Sequence, residues 1–330
     1  MRISLSHGVG GKLMHNLIKE VFLKEFNNEY LKELNDSAII EVKGDKKIAF
    51  TTDSYTVTPI FFPGGDIGKL AVCGTVNDLV VVGAKPLFIS CSCIIEEGLE
   101  YKDLERITHS ISQTAKEVGV EVVTGDTKVV EKGKGDKIFI NTSGIGEWVY
   151  GFGKIEIGDH VVVSGSIGDH EIAILISRGE FDFSSSLKSD CSPLKDMVLE
   201  LFHSLSGIKF MRDPTRGGVG TVLNEIVEGK AFGIEIYEEK LPVKEEVMGA
   251  CLLLGYDPIY LANEGKVVMI IDKKESEKAI EVMKKYEIGR EAKVIGKVVE
   301  EHKGKVYMKT TTGGTRVVDM LVGEQLPRIC

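Results

Sequence analysis

The sequence predicts an α/β (α+β) chain of two domains with a C-terminal tail. Its 330 residues exceed the roughly 250–300 that one hydrophobic core organises. β-rich runs alternate with helical patterns, as in layered folds of this class. A break at Tyr150-Gly151-Phe152-Gly153 separates the halves, giving domains at 1–152 and 153–309 and a tail at 310–330.

The elements follow in order. Ile48-Ala49-Phe50-Thr51-Thr52 is β-branched and aromatic enough for a strand, ending at Asp53. Leu104 to Val118 has helical spacing. Glu121-Val122-Val123-Thr124 is a strand running into Gly125-Asp126, and Lys137 to Thr142 is another. Beyond the break, Ile157-Gly158-Asp159 turns into a strand from His160 to Ser164. Gly217 to Glu228 reads as a glycine-led helix, Lys266 to Ile271 as a buried strand, and Lys274 to Tyr286 as a charged amphipathic helix. From Thr310 the chain is rich in Thr and Gly and loses periodicity after Val322, the pattern of a mobile tail.

Composition excludes several classes. Hydrophobic residues at 43% and charged residues at 28% are an ordinary globular balance. Lys plus Arg number 41 against 50 Asp plus Glu, a net charge of −9, which argues against a general nucleic-acid binder. Cys73, Cys91, Cys93, Cys191, Cys251 and Cys330 are spaced unevenly, unlike a disulfide framework. The N-terminus lacks a signal-peptide core, and the most apolar stretch, Leu79 to Ile95, is interrupted by Lys85 and Pro86. The expectation is a reduced, cytoplasmic protein that binds neither nucleic acid nor membrane.

Acidic residues stand where strands give way to loops: Asp53, Asp78, Asp126, Asp213 and Glu264. Carboxylates at strand ends share a rim, where they could hold Mg²⁺ against a nucleotide's phosphates. For any one of them, turn chemistry is the competing explanation. Glycines flank these acids at Gly8-Val9-Gly10-Gly11, Gly64-Gly65 and Gly217-Gly218-Val219-Gly220, and such loops bring backbone amides to phosphate oxygens. None is a Walker A motif, because Ser6 stands at the first glycine position before Gly11-Lys12 and Leu13 replaces the hydroxyl residue. Lys128 could neutralise a phosphate or, if desolvated, act as a base; a solvated surface charge is the alternative. Cys91-Ser92-Cys93 lacks partners at metal-ligand spacing, and Cys73, Cys91 and Cys93 sit among apolar residues as core thiols do.

Cys330 stands apart. In Leu326-Pro327-Arg328-Ile329-Cys330 it is neither core nor a prenylation box. Residues 316–330 reach up to roughly 50 Å when extended, which suits a group loaded in one place and processed in another. An incidental terminal thiol is the alternative.

Taken together, Ser6-His7-Gly8-Val9-Gly10-Gly11, Thr52-Asp53-Ser54-Tyr55 through Gly65, and Ile67 to Asp78 resemble the HypE family of hydrogenase maturation proteins. So do Val123-Thr124-Gly125-Asp126-Thr127-Lys128-Val129-Val130, Met211-Arg212-Asp213, Ala262-Asn263-Glu264-Gly265-Lys266 and the final Pro-Arg-Ile-Cys. The resemblance spans essentially the whole chain; Pro214 and Glu171 depart from the family's usual Ala and Gly. It implies the fold of aminoimidazole ribonucleotide synthetase and selenophosphate synthetase, dimerising through N-terminal sheets, with ATP between domains. The implied reaction is ATP-dependent dehydration of an S-carboxamide on Cys330 to a thiocyanate, the cyanide donor for [NiFe] hydrogenase. The carbamoyltransferase HypF would load Cys330, and the HypC–HypD scaffold would receive the cyanide.

The resemblance further implies nucleotide contacts at His7, Gly10, Gly11, Asn77, Thr127, Lys128, Asp213 and Asn263, and Mg²⁺ on Asp53, Asp78 and Asp126. Cys330, Lys128 and Glu264 would be catalytic. Glu264 is the candidate base, with metal ligation as its alternative role and Lys128 as the alternative base. Two other functions compete: a small-molecule synthetase or kinase of the same superfamily, indifferent to Cys330, and a nucleotide-gated carrier without turnover.

Overall fold

Among the described residues, alternating runs of β-formers and amphipathic helices build two large sheets and a two-stranded one, Phe61–Phe62 with Gly65–Asp66, around a shared core. The computed structural model describes residues 3–8, 11–26, 28–42, 46–179 and 185–321. The chain opens with short helices α1 (Lys12–Leu17), α2 (Leu23–Phe26) and α3 (Glu29–Lys32). Next come β1 (Ala38–Val42), β2 (Lys46–Tyr55), β3 (Phe61–Phe62), β4 (Gly65–Asp66), α4 (Ile67–Val81), β5 (Ala84–Glu96), α5 (Tyr101–Val118), β6 (Glu121–Val130) and β7 (Ile138–Trp148). The first sheet has the order β1-β2-β7-β5-β6, antiparallel except for β5 and β6, which run parallel with α5 crossing between them.

The second half contains β8 (His160–Val163), α6 (Asp169–Ser177), α7 (Lys195–Ser204), β9 (Ile208–Arg212), α8 (Gly218–Val227), β10 (Gly233–Tyr237) and α9 (Glu245–Leu254). It continues with β11 (Val268–Ile271), α10 (Ser276–Met283), β12 (Lys293–Val299), β13 (Val306–Lys309) and β14 (Thr315–Val318). These strands form a sheet of order β14-β13-β10-β12-β8-β11-β9. The break expected near residue 152 falls between the sheets.

α4 ties the halves together. Asp66 caps its N-terminus, accepting from the amides of Gly68 at 2.8 Å and Lys69 at 3.0 Å. Thirteen of its residues are buried, the pattern of a helix enclosed on all sides. One continuous cluster joins Leu70, Val72 and Val76 to Ile174, Met211 and Met269 of the second half. Gly74 is required there: a Cβ would lie 2.2 Å from the Tyr55 hydroxyl.

Three expectations need correction. Asp78 lies in the second half of α4, not at a strand end, because Val76-Asn77-Asp78-Leu79 continues the helix's apolar enclosure. Gly125-Asp126-Thr127-Lys128 lies inside β6, because pairing with β5 continues from Phe88↔Glu121 through Glu96↔Val130. The tail does not begin at 310. Thr315–Val318 forms β14 against β13, and the Thr/Gly-rich stretch is the hairpin turn, closed by Thr310 and Gly314 amide–carbonyl contacts.

Candidate active site

Strand β2, helix α4 and the segment after β9 converge on an acid-lined cavity between the two sheets. Its volume is about 200 Å³, and Asp36, Asp53, Asp78, Asp213, Tyr55, Arg216 and Glu264 line it. Carboxylate oxygens of Asp36, Asp78 and Asp213 lie within 4.8 Å of one another. The Thr51 hydroxyl donates to Asp78 Oδ2 at 2.6 Å, and the Tyr55 hydroxyl to Asp53 Oδ2 at 3.2 Å.

Burial, then repulsion from Asp53 and Asp213, raises the Asp78 carboxyl well above the usual carboxylate range. Burial raises Asp213 similarly, with Asp36 and Asp53 adding to it. Burial also lifts Asp36, against the pull of the Arg212 guanidinium. Three crowded carboxyls, each made costly to ionise, suit a divalent cation, which removes both the repulsion and the desolvation cost. The donor set, all oxygen, is of the kind Mg²⁺ prefers.

Arg212 braces one wall. It pairs with Asp36 at 3.0 Å and with Glu225, and donates to the Leu34 carbonyl at 2.9 Å. His15 Nε2 meets Glu225 Oε1 at 2.7 Å, joining the N-terminal helices to this brace. A second cavity of about 370 Å³ lies on that side, sharing Asp36, Asp213, Thr215 and Arg216 with the first.

Glu264 is fixed through its backbone. Its amide donates to Asp190 Oδ1 at 3.1 Å, and Asp190 Oδ2 receives Lys266 Nζ at 3.1 Å in a buried ion pair. Burial pushes the Asp190 carboxyl up, but Lys266, His170 and the Glu264 amide outweigh it and hold it below the usual range. From the other domain, Asn77 Nδ2 donates to the Ser192 carbonyl at 3.2 Å and the Glu264 carbonyl at 3.4 Å. Asn77 Oδ1 accepts from Leu194 at 2.8 Å.

Of the residues predicted from sequence, Asp53, Asp78, Asp213 and Glu264 line this cavity together. Asn77 and Asn263 do not; both are buried, with their amides engaged by backbone. Asn263 accepts from Gly168 and donates to Pro214 and Leu261, so it braces loops. Gly11 lies against Leu321, whose carbonyl would be 2.2 Å from an added Cβ, and His7 bonds to Ser4. Gly10 and Cys330 lie outside the described residues.

Asp126, Thr127 and Lys128 are exposed on β6, which two intervening strands separate from β2. Three strand spacings amount to about 14 Å, so Asp126 does not join Asp53 and Asp78 within one chain. The Lys128 ammonium bonds Asp126 at 2.7 Å and holds its carboxyl below the usual range. Sequence reasoning missed Asp36, whose only signal was Asn35-Asp36-Ser37 ahead of a β run, and the brace formed by Arg212.

The chain matches the AIR synthase related protein N-terminal domain over residues 34–148 and the C-terminal domain over 156–309. It is 45% identical to carbamoyl dehydratase HypE of Cupriavidus necator, covering 100% of this chain and 95% of that one. With HypE of Escherichia coli K12 the identity is 42%, over 99% of each. Among solved structures, HypE in complex with ATP superposes with a TM-score of 0.82 at 44% identity, over 99% of this chain and 100% of that one. A chain of the HypE–HypF complex gives 0.86 at 49%, over 92% and 99%. A thiamine monophosphate kinase of Aquifex aeolicus, at 20% identity and TM-score 0.68 over 90% and 97%, shares the fold. With its two AIR synthase-like domains meeting at an acid-lined cavity, the chain belongs to the HypE family of carbamoyl dehydratases.

Proposed function

We propose that the protein dehydrates an S-carboxamide carried on Cys330 to a thiocyanate at the expense of ATP. The convergence of Asp36, Asp78 and Asp213 beside Glu264 carries this reading. Mg²⁺ held there would neutralise a triphosphate and the charge that develops on phosphoryl transfer. Asp36, Asp78 and Asp213 are the proposed ligands, with Asp53 alongside.

The amide oxygen attacks the γ-phosphorus of ATP as the nitrogen gives up one proton; the P–O bond to ADP breaks and a phosphorylated imidate forms. Loss of the second N–H proton with departure of phosphate leaves S–C≡N. Glu264, held by Asp190 and Asn77, is the proposed acceptor of these protons. The Asp190–Lys266 pair fixes its backbone.

Lys128 reaches this chemistry only if a second copy supplies it. The exposed length of β6, with Phe50, Phe88, Ile94 and Ile145 exposed on neighbouring strands, favours pairing of two N-terminal sheets. Lys128 and Asp126 would then face the other copy's phosphates. A HypF-type carbamoyltransferase would load Cys330, and HypC–HypD would take the cyanide.

Intact mass after incubation with HypF, carbamoyl phosphate and ATP tests the reading. A carboxamide adduct should appear on Cys330 and then lose one water. An adduct confined to another cysteine, or one that keeps its water with ATP present, would overturn it.

A further inference from the structure

α9 carries apolar residues on every face, yet only one face is covered. Val247, Ala250 and Cys251 pack with Ile172, Leu175 and Leu261. The opposite face turns Met248, Leu252 and Leu253 to solvent, with 78% and 75% of the two leucines exposed. A helix apolar all round is ordinarily enclosed, and adjoining exposed apolar side chains mark contact surfaces. An added Cβ on Gly249, beside them, would meet no atom within 4 Å. Glu245 and Glu246 are the only charged residues of this helix, and both are exposed at its N-terminal end. The matching surface is therefore apolar at its centre and basic at its rim.

The position of the patch identifies what covers it. After α9 the chain turns at Gly255 into Asp257–Tyr260. There Asp257 pairs with Arg316 at 2.6 Å, and the Tyr260 hydroxyl donates to the Asp319 carbonyl at 2.7 Å. The patch is thus tied to the stretch from which residues 322–330, ending in Cys330, depart. A second copy has the N-terminal sheet, in the other domain, to pair with.

We propose that the exposed face of α9 is the docking surface for the protein that carbamoylates Cys330, through an apolar patch edged with Lys or Arg. The proposal rests on Cys330 as carrier.

The test uses the full chain with Leu252→Ser and Leu253→Ser together, and purified HypF as the probe. Calorimetry should show binding weakened roughly tenfold or more, with loading from carbamoyl phosphate slowed in step. Cyanate supplies the control: the thiol adds to isocyanic acid, an S–C bond forms and the proton moves to nitrogen, giving the same carboxamide without a partner. The cyanate-loaded double variant should dehydrate at the parental rate. Parental affinity for HypF in the variant would overturn the proposal. Conversion of a dimer to a monomer with HypF binding unchanged would also overturn it, assigning the patch to a second copy. If cyanate-loaded parental protein does not dehydrate, the proposed reaction fails, while the binding comparison still decides the docking surface. Glu245→Lys with Glu246→Lys should slow association most at low salt; an unchanged salt dependence would overturn the basic rim.

Discussion

The acid-lined cavity and the outer edge of the N-terminal sheet hold their carboxylates in opposite circumstances. In the cavity, half-buried Asp78 and buried Asp213 stand among other acids, and desolvation with mutual repulsion makes their ionisation costly. On β6, Asp126 is exposed and neutralised at once by Lys128. The cavity draws its acids from β1–β2, α4 and β9 of one chain, so it is assembled whenever that chain folds. The edge pair has no such frame, and what it can act on depends on which surface covers it. Buried repulsion is a standing demand for a cation; an exposed ion pair demands nothing and contributes little to stability.

The sharpest way to break this contrast is at Asp78. Asp78→Asn should lower ATP turnover by roughly 100-fold or more, since it removes a proposed metal ligand. The same change should raise metal-free stability by about 1–2 kcal/mol, because it relieves burial of like charges. Calorimetry paired with phosphate release would check both, and a variant that is less stable without metal would contradict the account of repulsion.

Asn77 comes next. Asn77→Ala takes away the acceptor of the Leu194 amide and one donor each from the Ser192 and Glu264 carbonyls, at an expected cost of about 2–4 kcal/mol. The turnover number should fall more than nucleotide affinity does, because Glu264 loses its support. Urea titration and ATP binding would separate the two, and equal losses would make Asn77 a purely structural residue.

Glu171 gives a pH dependence. Burial pushes its carboxyl up to about 7, against the Ala262 amide, which favours the ionised form. The native state therefore binds a proton that the unfolded state releases near the ordinary glutamate value. Its contribution to stability is full below about 4.5 and is lost as pH rises to about 7, a fall on the order of 3 kcal/mol. Glu171→Gln should flatten that slope in denaturation curves collected between those limits. A slope unchanged by the substitution would mean that Glu171 ionises normally.

The smallest stability effect belongs to the edge. Lys128→Ala should alter folding by less than about 0.5 kcal/mol while abolishing turnover. Mixing it with Asp78→Asn then asks whether one site spans two copies. Hybrid dimers would carry one intact site, so activity should recover to roughly a quarter of the parental level. No recovery would place Lys128 within its own chain's chemistry.

Most of the cavity was legible because Asp53, Asp78, Asp213 and Glu264 sit in recognisable blocks, and Tyr150-Gly151-Phe152-Gly153 put the expected break near 152. The rest was hidden for physical reasons. Asp36 has no glycine or periodic neighbour to mark it, and only the turn into β1 brings it to Asp78. A motif such as Thr-Gly-Asp-Thr-Lys reads as a loop because glycine usually ends a strand, yet pairing with β5 carries β6 through it. Asn77 and Asn263 were expected from the family resemblance alone; their enclosure by backbone partners depends on three-dimensional packing that no motif records. The Thr/Gly run after Lys309 looked like a tail because a hairpin turn and a loose end share their residues.

Asn77 also bears on how the protein ages. Its two atoms play opposite parts, the nitrogen donating to two carbonyls and the oxygen accepting from an amide. Hydrolysis of that side chain to Asp would alter the mass by about the difference between an amide NH₂ and an OH, and would leave the shape nearly unchanged. It would nonetheless turn a carboxylate, which has no hydrogen to donate, toward the carbonyls of Ser192 and Glu264. Enclosure in α4 slows the backbone attack that such hydrolysis requires. The helix that positions this amide thus also shields it from the reaction that would reverse its hydrogen-bonding sense.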